Sequence, residues 1–91
     1  CLIGNLEQEV TLLPESHRLQ LLSTFEDWQM KVTQCLELAQ QEKTISASLD
    51  CTALASFFWM GWEGAIAKSK LTKNLTPIDT FIDLFLQLIA K

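Results

Sequence analysis

The sequence lacks the clusters of reactive side chains that catalysis or metal binding requires. Its 91 residues include a single histidine, and a helix cannot aim the consecutive side chains of Glu15, Ser16 and His17 at one point. No phosphate-binding glycine loop and no closely spaced cysteine pair is present, since the three cysteines lie at irregular positions, Cys1, Cys35 and Cys51. The sequence therefore predicts a protein that is not an enzyme and holds neither a metal ion nor a cofactor.

Positive charge is also scarce, with 7 Lys and Arg residues against 11 Asp and Glu and a net charge of -4. This chain lacks the positive field that phosphate backbones select, and we expect no DNA binding by these residues alone. The longest run of low charge, residues 51–67, is shorter than the roughly 20 apolar residues of a membrane-spanning helix. Together with the unpaired cysteines, this pattern predicts a cytoplasmic protein with no membrane partner.

Alternation of apolar and polar residues, as in a strand, is missing, whereas apolar residues recur at every third and fourth position. The predicted fold is all-α, an antiparallel bundle of about four helices. The first predicted helix ends near Leu13, and Pro14 starts the second, which extends to about Lys43. A small polar loop follows, in which we expect Ile45 to be buried.

Capping residues mark the starts of the last two predicted helices. Asp50 is placed to accept the first N–H groups of the third helix, which ends near Leu71. Thr76 as cap and Pro77 at the first helical position predict the start of the fourth helix. Because the turn between these two helices is short, we expect them to lie side by side and antiparallel.

The third and fourth helices contain more apolar residues than one buried face can hold. Between Asp50 and Lys68 the only charged residue is Glu63, and a chain of this length has little protein left to cover a second apolar side. We therefore expect a second copy of the chain to cover it, in a two-fold homodimer built on the last two helices. The predicted interface residues are Trp59, Trp62, Ile66, Ile78, Ile82, Phe85 and Ile89.

Several short motifs occur in order along the whole chain. They are residues 1–6 with Glu9, the Pro14-Glu15 helix start, Leu49-Asp50 with Leu54 and Ala55, and Trp62-Glu63-Gly64-Ala65 followed by Ala67-Lys68. In order and spacing these motifs resemble the C-terminal regulatory domain of TetR-family transcriptional repressors. Two positions depart from that pattern, since Leu13 stands where the family usually has a capping Ser and Cys51 where it usually has Pro.

The resemblance implies a helical domain that dimerises through its last two helices and holds a small effector in a pocket among the preceding ones. Residues 1–91 would then be a fragment of this regulatory domain that lacks its first helices, so any pocket in the fragment should be incomplete. An N-terminal helix-turn-helix domain, absent from the chain, would read operator DNA. The expected function is the sensing of a small, apolar or electrophilic effector by a repressor. The alternative is a helical interaction module that binds a foreign amphipathic helix and no small molecule.

Inward-facing residues of the first three predicted helices are the candidates for the effector pocket: Asn5, Leu6, Phe25, Trp28, Val32, Phe57 and Phe58. Asn5 would be a polar anchor, although aromatic residues at helical spacing can also simply form a core. The resemblance places Cys1 where some family members have a thiol that senses oxidants or electrophiles. A reactive thiolate needs a nearby cation, and Lys68 of the third predicted helix is the candidate partner. A plain buried thiol is the other interpretation of Cys1.

Overall fold

The computed structural model describes residues 14–91, which form three α-helices and no strand. Helix α1 comprises Glu15–Gln41, α2 comprises Cys51–Thr72 and α3 comprises Thr76–Ile89. The all-α prediction is confirmed for this part of the chain, where the three helices correspond to the second, third and fourth predicted ones. The first predicted helix lies outside the described residues, as do three candidate site residues, Cys1, Asn5 and Leu6.

The helix ends follow the capping signals of the sequence to within a residue or two. Pro14 immediately precedes α1, and Asp50 caps α2 by accepting a hydrogen bond from the backbone N–H of Ala53 at 3.1 Å. The predicted cap of α3 is one residue off. Thr76 is already helical, and its own N–H donates to Oδ1 of Asn74 at 2.9 Å. The Asn74 side chain therefore satisfies one of the first backbone donors of α3.

Helix α2 lies between the other two helices and packs against both. The core gathers where the end of α1, the following loop, the start of α2 and the end of α3 meet. Its buried residues are Leu36, Ile45, Cys51, Phe85 and Ile89. Because each of these segments contributes at least one buried apolar side chain, the core fixes the mutual positions of all three helices.

Hydrogen bonds hold the loop between α1 and α2 against the core. Nε2 of Gln40 donates to the carbonyl oxygens of Ser46 at 3.2 Å and of Leu49 at 2.9 Å. The backbone of Ile45 pairs with that of Ala90 in a single antiparallel bridge, and the Ile45 side chain is buried as the sequence predicts. The loop therefore ties the end of α3 to the rest of the domain.

Two glycines of α2 meet different surroundings. A Cβ atom at Gly61 would overlap the ring of Phe81, so α3 can approach α2 closely only because this residue has no side chain. A Cβ atom at Gly64 would meet nothing within 4 Å, and this glycine is exposed. Glycine inside a helix costs about 1 kcal/mol relative to alanine. Packing within the described residues accounts for that cost at Gly61 and does not account for it at Gly64.

Truncation of the buried loop residue tests the role of this core. We expect Ile45→Ala to lower the free energy of unfolding by about 2–4 kcal/mol, because it removes a buried side chain and leaves a cavity. Leu38→Ala, at an exposed position of α1, is the matched control and should change it by less than about 0.5 kcal/mol. Urea unfolding at one protein concentration measures the free energy of unfolding of both variants. Equal effects of the two substitutions would contradict the proposed core.

Candidate functional site

An open cleft of about 510 Å³ lies between the three helices. Residues of α1 that are three or four positions apart, and so share one side of the helix, form its first wall. Two consecutive aromatic residues of α2 form the second, and α3 contributes one ring. We call this space the tryptophan cleft; it is lined by Trp28, Lys31, Val32, Cys35, Leu36, Phe58, Trp59 and Phe85.

Contacts between aromatic rings connect the walls of the tryptophan cleft. The rings of Trp28 and Trp59 lie with their centroids 5.2 Å apart across the boundary between α1 and α2. Phe58 meets Phe85 edge to face at 5.2 Å and so links α2 to α3. These separations are those of favourable aromatic pairs. Rings from all three helices thus form one connected apolar lining.

Few polar groups interrupt this lining. Lys31 is the one charged residue among those that line the cleft, and Cys35 contributes an exposed free thiol. The indole Nε1 atom of Trp59 is buried and has no hydrogen-bond partner. Clefts of this volume and lining are typical of sites that bind small apolar molecules.

The part of the chain that the structure describes offers no metal site, because no group of His, Cys, Asp and Glu side chains there is arranged to hold an ion. Over residues 14–91, none of the helices has both the length and the hydropathy that crossing a bilayer requires. The apolar lining of the tryptophan cleft makes it the candidate small-molecule site among the described clefts.

The pocket residues predicted from the sequence fall into two groups. Trp28, Val32 and Phe58 line the tryptophan cleft, and Phe25 lies beside it, with its ring centroid 5.4 Å from that of Trp28. Phe57 requires a correction, because its side chain is exposed on the outside of α2. One residue rotates a helix by about 100°, so Phe57 and its neighbour Phe58 cannot both face inward.

An uncharged stripe of exposed residues runs along the opposite side of α2. Its members alternate four and three positions apart, which keeps them on one face of the helix. We call it the outer stripe; it consists of Ala53, Phe57, Met60, Gly64, Ala67 and Leu71. The side chain of Met60 is 66% exposed, and that of Leu71 is 82% exposed. A surface helix normally turns polar residues to this side.

The outer stripe continues onto α3. Pro77 and Thr80 share a polar groove with Gly64, so this side of α3 borders the stripe. Leu84 and Leu88 follow Thr80 at four-residue intervals on that side, and both are more than half exposed. The exposed Leu84 and Leu88 therefore lie on the same side of α3 as this groove.

The interface residues predicted from the sequence occupy other positions. Phe85 and Ile89 belong to the core of the chain, where each is less than a tenth exposed, so they require a correction: a second copy cannot reach them. Trp59 lines the tryptophan cleft. The remaining four are partly buried within the chain: Trp62, Ile66, Ile78 and Ile82. The exposed residues of the outer stripe, Met60 among them, were not predicted as interface residues. No sequence signal sets them apart, because the inward-facing residues of α2 have the same uncharged spacing of four and three.

Lys68 lies in the polar groove between α2 and α3, which measures about 520 Å³ and is also lined by Thr72, Asn74 and Thr80. Its expected partner Cys1 lies outside the described residues. Pairing of Lys68 with Cys1 therefore stays a prediction.

The described residues form an all-helical domain with an apolar cleft on one side and an exposed apolar surface on another. Domains of this class are suited to binding. The family described as Tetracyclin repressor-like, C-terminal domain, matches residues 1–85. The transcriptional regulator AcuR of Cereibacter sphaeroides is 42% identical over 85 residues, which cover 93% of this chain and 39% of that protein. The HTH-type transcriptional repressor DhaR of Mycobacterium sp. is 35% identical over 82 residues, or 90% of this chain and 41% of DhaR.

Solved structures agree with this assignment. The regulatory protein TetR from Rhodobacter sphaeroides matches 99% of this chain and 48% of its own, with a TM-score of 0.94 and 40% identity. The reduced form of NemR from E. coli matches the whole chain and 49% of its own, with a TM-score of 0.93; at 22% identity it shows the fold alone. The chain belongs to the TetR-like C-terminal domain family, whose members are transcriptional regulators and not enzymes.

The chain spans about two fifths of the length of these curated relatives and about half that of the solved chains. The match therefore covers only part of each relative. Family membership confirms the resemblance that the sequence motifs indicate.

Site-resolved alkylation tests the environments of the described cysteines. Cys35 is exposed at the tryptophan cleft, whereas burial raises the pKa of the Cys51 thiol, and the charges of Glu37 and Asp50 raise it further. Because the thiolate is the reactive form, we expect iodoacetamide at pH 8 to modify Cys35 at least about tenfold faster than Cys51. Mass spectrometry of the digested protein measures each site, and in denaturant the two rates should converge. Equal rates in the folded protein would contradict the structure.

Proposed function

We propose that this chain is the regulatory and dimerisation domain of a TetR-type transcriptional repressor. The domain binds a small, apolar or electrophilic effector and transmits that binding to a DNA-binding domain outside this chain. One observation carries the proposal: α2 has the tryptophan cleft on one side and the outer stripe on the other. A single helix can therefore sense a ligand and contact a partner.

The properties of the tryptophan cleft support effector binding. Its volume lies within the usual range for small-ligand sites, and aromatic and aliphatic side chains dominate its lining. The thiolate form of Cys35 supplies a nucleophile for an electrophilic effector, and the Lys31 ammonium supplies a positive charge at the same cleft. Trp28, Val32 and Phe58 are the predicted pocket residues that we retain, and we add Trp59 and Phe85.

The outer stripe supports a homodimer. Its spacing of four and three residues is that of helices which pack along a common seam, and Leu84 and Leu88 extend the apolar surface onto α3. Gly64 lies in this stripe with open space around it, so the lack of a side chain there suits the close approach of a second helix. We therefore propose that α2 and α3 pack against the same helices of a second copy, as an intermolecular four-helix bundle.

The two surfaces are adjacent in the sequence, which supports a route for transmission. Phe58 and Trp59 line the cleft, while Phe57 and Met60 on either side of them belong to the outer stripe. A ligand that displaces the first pair must shift or rotate α2, because packed helices move as rigid units. Binding would then alter the dimer arrangement and with it the separation of the two DNA-binding domains.

The helical interaction module, which would use the same apolar surface for a foreign helix, is the second candidate function. Family membership favours the first candidate, because the matched relatives are transcriptional regulators. The oligomeric state of the intact protein distinguishes the two candidates.

A charge placed in the outer stripe tests the dimer. We expect Met60→Glu to raise the dimer dissociation constant at least about 100-fold, because the dimer would bury an unpaired carboxylate. Met30→Glu is the matched control, since Met30 is a similarly exposed methionine on α1, away from the stripe. Sedimentation equilibrium measures both variants. A monomeric wild-type protein at high micromolar concentration, or a dimeric Met60→Glu variant, would contradict the proposal.

Filling the tryptophan cleft tests effector binding. A melting screen of the intact protein should identify ligands that raise its stability, by about 2.7 kcal/mol at a concentration 100 times the dissociation constant. We expect Cys35→Trp to abolish the shift, because the indole would occupy the cleft. Gln34→Trp, at an exposed neighbouring position of α1, should retain it. An unchanged shift in Cys35→Trp would place the effector elsewhere.

A further inference from the structure

A second, smaller cleft lies between α1 and α2 and differs from the tryptophan cleft in its charge. It measures about 280 Å³. Residues four positions apart on α1 form one wall, and residues three or four positions apart on α2 form the other. We call this space the glutamate cleft; it is lined by Phe25, Gln29, Ser56, Trp59, Met60 and Glu63.

Glu63 gives the glutamate cleft its charge. It is the only charged residue of α2 before Lys68, and it is partly buried. Glu63 also makes an interaction within the chain, but a carboxylate has about four acceptor positions and can accept from further donors. No Lys or Arg side chain is among the residues that line this cleft. The lining therefore carries charge of one sign only, and that sign is negative.

The other residues of the glutamate cleft also suit a cation. The side chains of Gln29 and Ser56 each carry an oxygen that can accept a hydrogen bond. Phe25 and Trp59 supply aromatic rings, and such rings attract a cation placed over their faces. An anion would instead meet the like charge of Glu63, which repels it. The chemistry of this lining is therefore complementary to a positively charged ligand.

The two larger clefts have the opposite charge. Lys31 is the one charged residue that lines the tryptophan cleft, and Lys68 is the one charged residue that lines the polar groove. A small cation is therefore repelled from both of these spaces and attracted to the glutamate cleft. The volume of the glutamate cleft lies just below the roughly 300–1,000 Å³ of sites for drug-sized ligands, so it suits a compact ion.

We propose that the glutamate cleft is a second ligand site, which binds a small alkylammonium ion with Glu63 as its counter-charge. The ammonium group donates hydrogen bonds to the carboxylate and to the side-chain oxygens of Gln29 and Ser56. The alkyl group contacts the aromatic side chains. This site is separate from the proposed effector site and goes beyond the proposed function.

Two probes of one shape test the proposal on the intact protein. The probes are tert-butylammonium and tert-butanol, in which an ammonium group and a hydroxyl group are attached to the same alkyl group. The ammonium is charged at pH 7, because its pKa is close to that of a lysine side chain, about 10.4. We expect it to bind at least about tenfold more tightly than tert-butanol, since only the cation gains from the carboxylate and the rings. In ¹H–¹⁵N NMR titrations the indole signal of Trp59, assigned by its loss in Trp59→Phe, measures both affinities.

Substitutions at two glutamates separate the site from the general charge of the protein. Glu63→Gln keeps the size of the side chain and removes its charge, so the two probes should then bind about equally. Glu63→Asp keeps the charge and should retain a preference for the ammonium. Glu26→Gln is the matched control, because it removes the same charge from an exposed position of α1 and should leave the preference unchanged. Cys35→Trp, which fills the tryptophan cleft, should also leave it unchanged.

Four results would overturn the inference. Equal affinities of the two probes for the wild-type protein, or binding of neither up to its solubility limit, would mean that the cleft does not recognise a cation. A tenfold preference that survives in Glu63→Gln would assign the cation to another carboxylate. Loss of the preference in Cys35→Trp would place the cation in the tryptophan cleft. The melting screen tests the effector site separately from all of these measurements.

Discussion

The scarcity of charged residues around α2 is the constraint on which the rest of the structure depends. The inner face of this helix carries the core residues Cys51, Ala55 and Ala65, and its flanks contact α1 and α3. Its outer stripe is uncharged and is exposed in the single chain. An apolar face of this extent on a surface helix marks an interaction site. The proposed dimer follows from this imbalance, because the described part of the chain has no further element to cover the stripe.

The same constraint connects the two proposed functions of the domain. Phe58 and Trp59 line the cleft, whereas Phe57 and Met60 belong to the outer stripe. These neighbours lie on different faces because each residue rotates the helix by about 100°. A displacement of the cleft residues of α2 therefore also moves the residues of its outer stripe.

Much of the fold could be predicted from local sequence signals. The helical spacing, the Asp50 cap and the buried Ile45 each depend on a few neighbouring residues, and the structure confirms them. The direction of each face of α2 could not be predicted in the same way, because apolar residues surround that helix and only tertiary packing decides which of them are buried. The sequence therefore predicts Phe57 in the pocket and Phe85 at the interface. In the structure Phe57 is exposed in the outer stripe, whereas Phe85 is buried and lines the cleft. The four and three spacing of uncharged residues does not separate the faces, because the inward-facing residues of α2 show the same spacing: Cys51, Ala55, Phe58, Trp62, Ala65 and Ser69.

The central claim is that the outer stripe is the seam with a second copy, and alanine at Gly64 tests it most directly. Alanine fits the single chain and favours the helix by about 1 kcal/mol, so the substitution should not weaken the fold of the protomer. In the dimer the added methyl group should hold the helices apart and raise the dissociation constant measured by sedimentation equilibrium about tenfold. Alanine at Gly61, which would overlap Phe81, should destabilise the fold instead. A Gly64→Ala variant that dimerises as tightly as the wild-type protein would contradict the account.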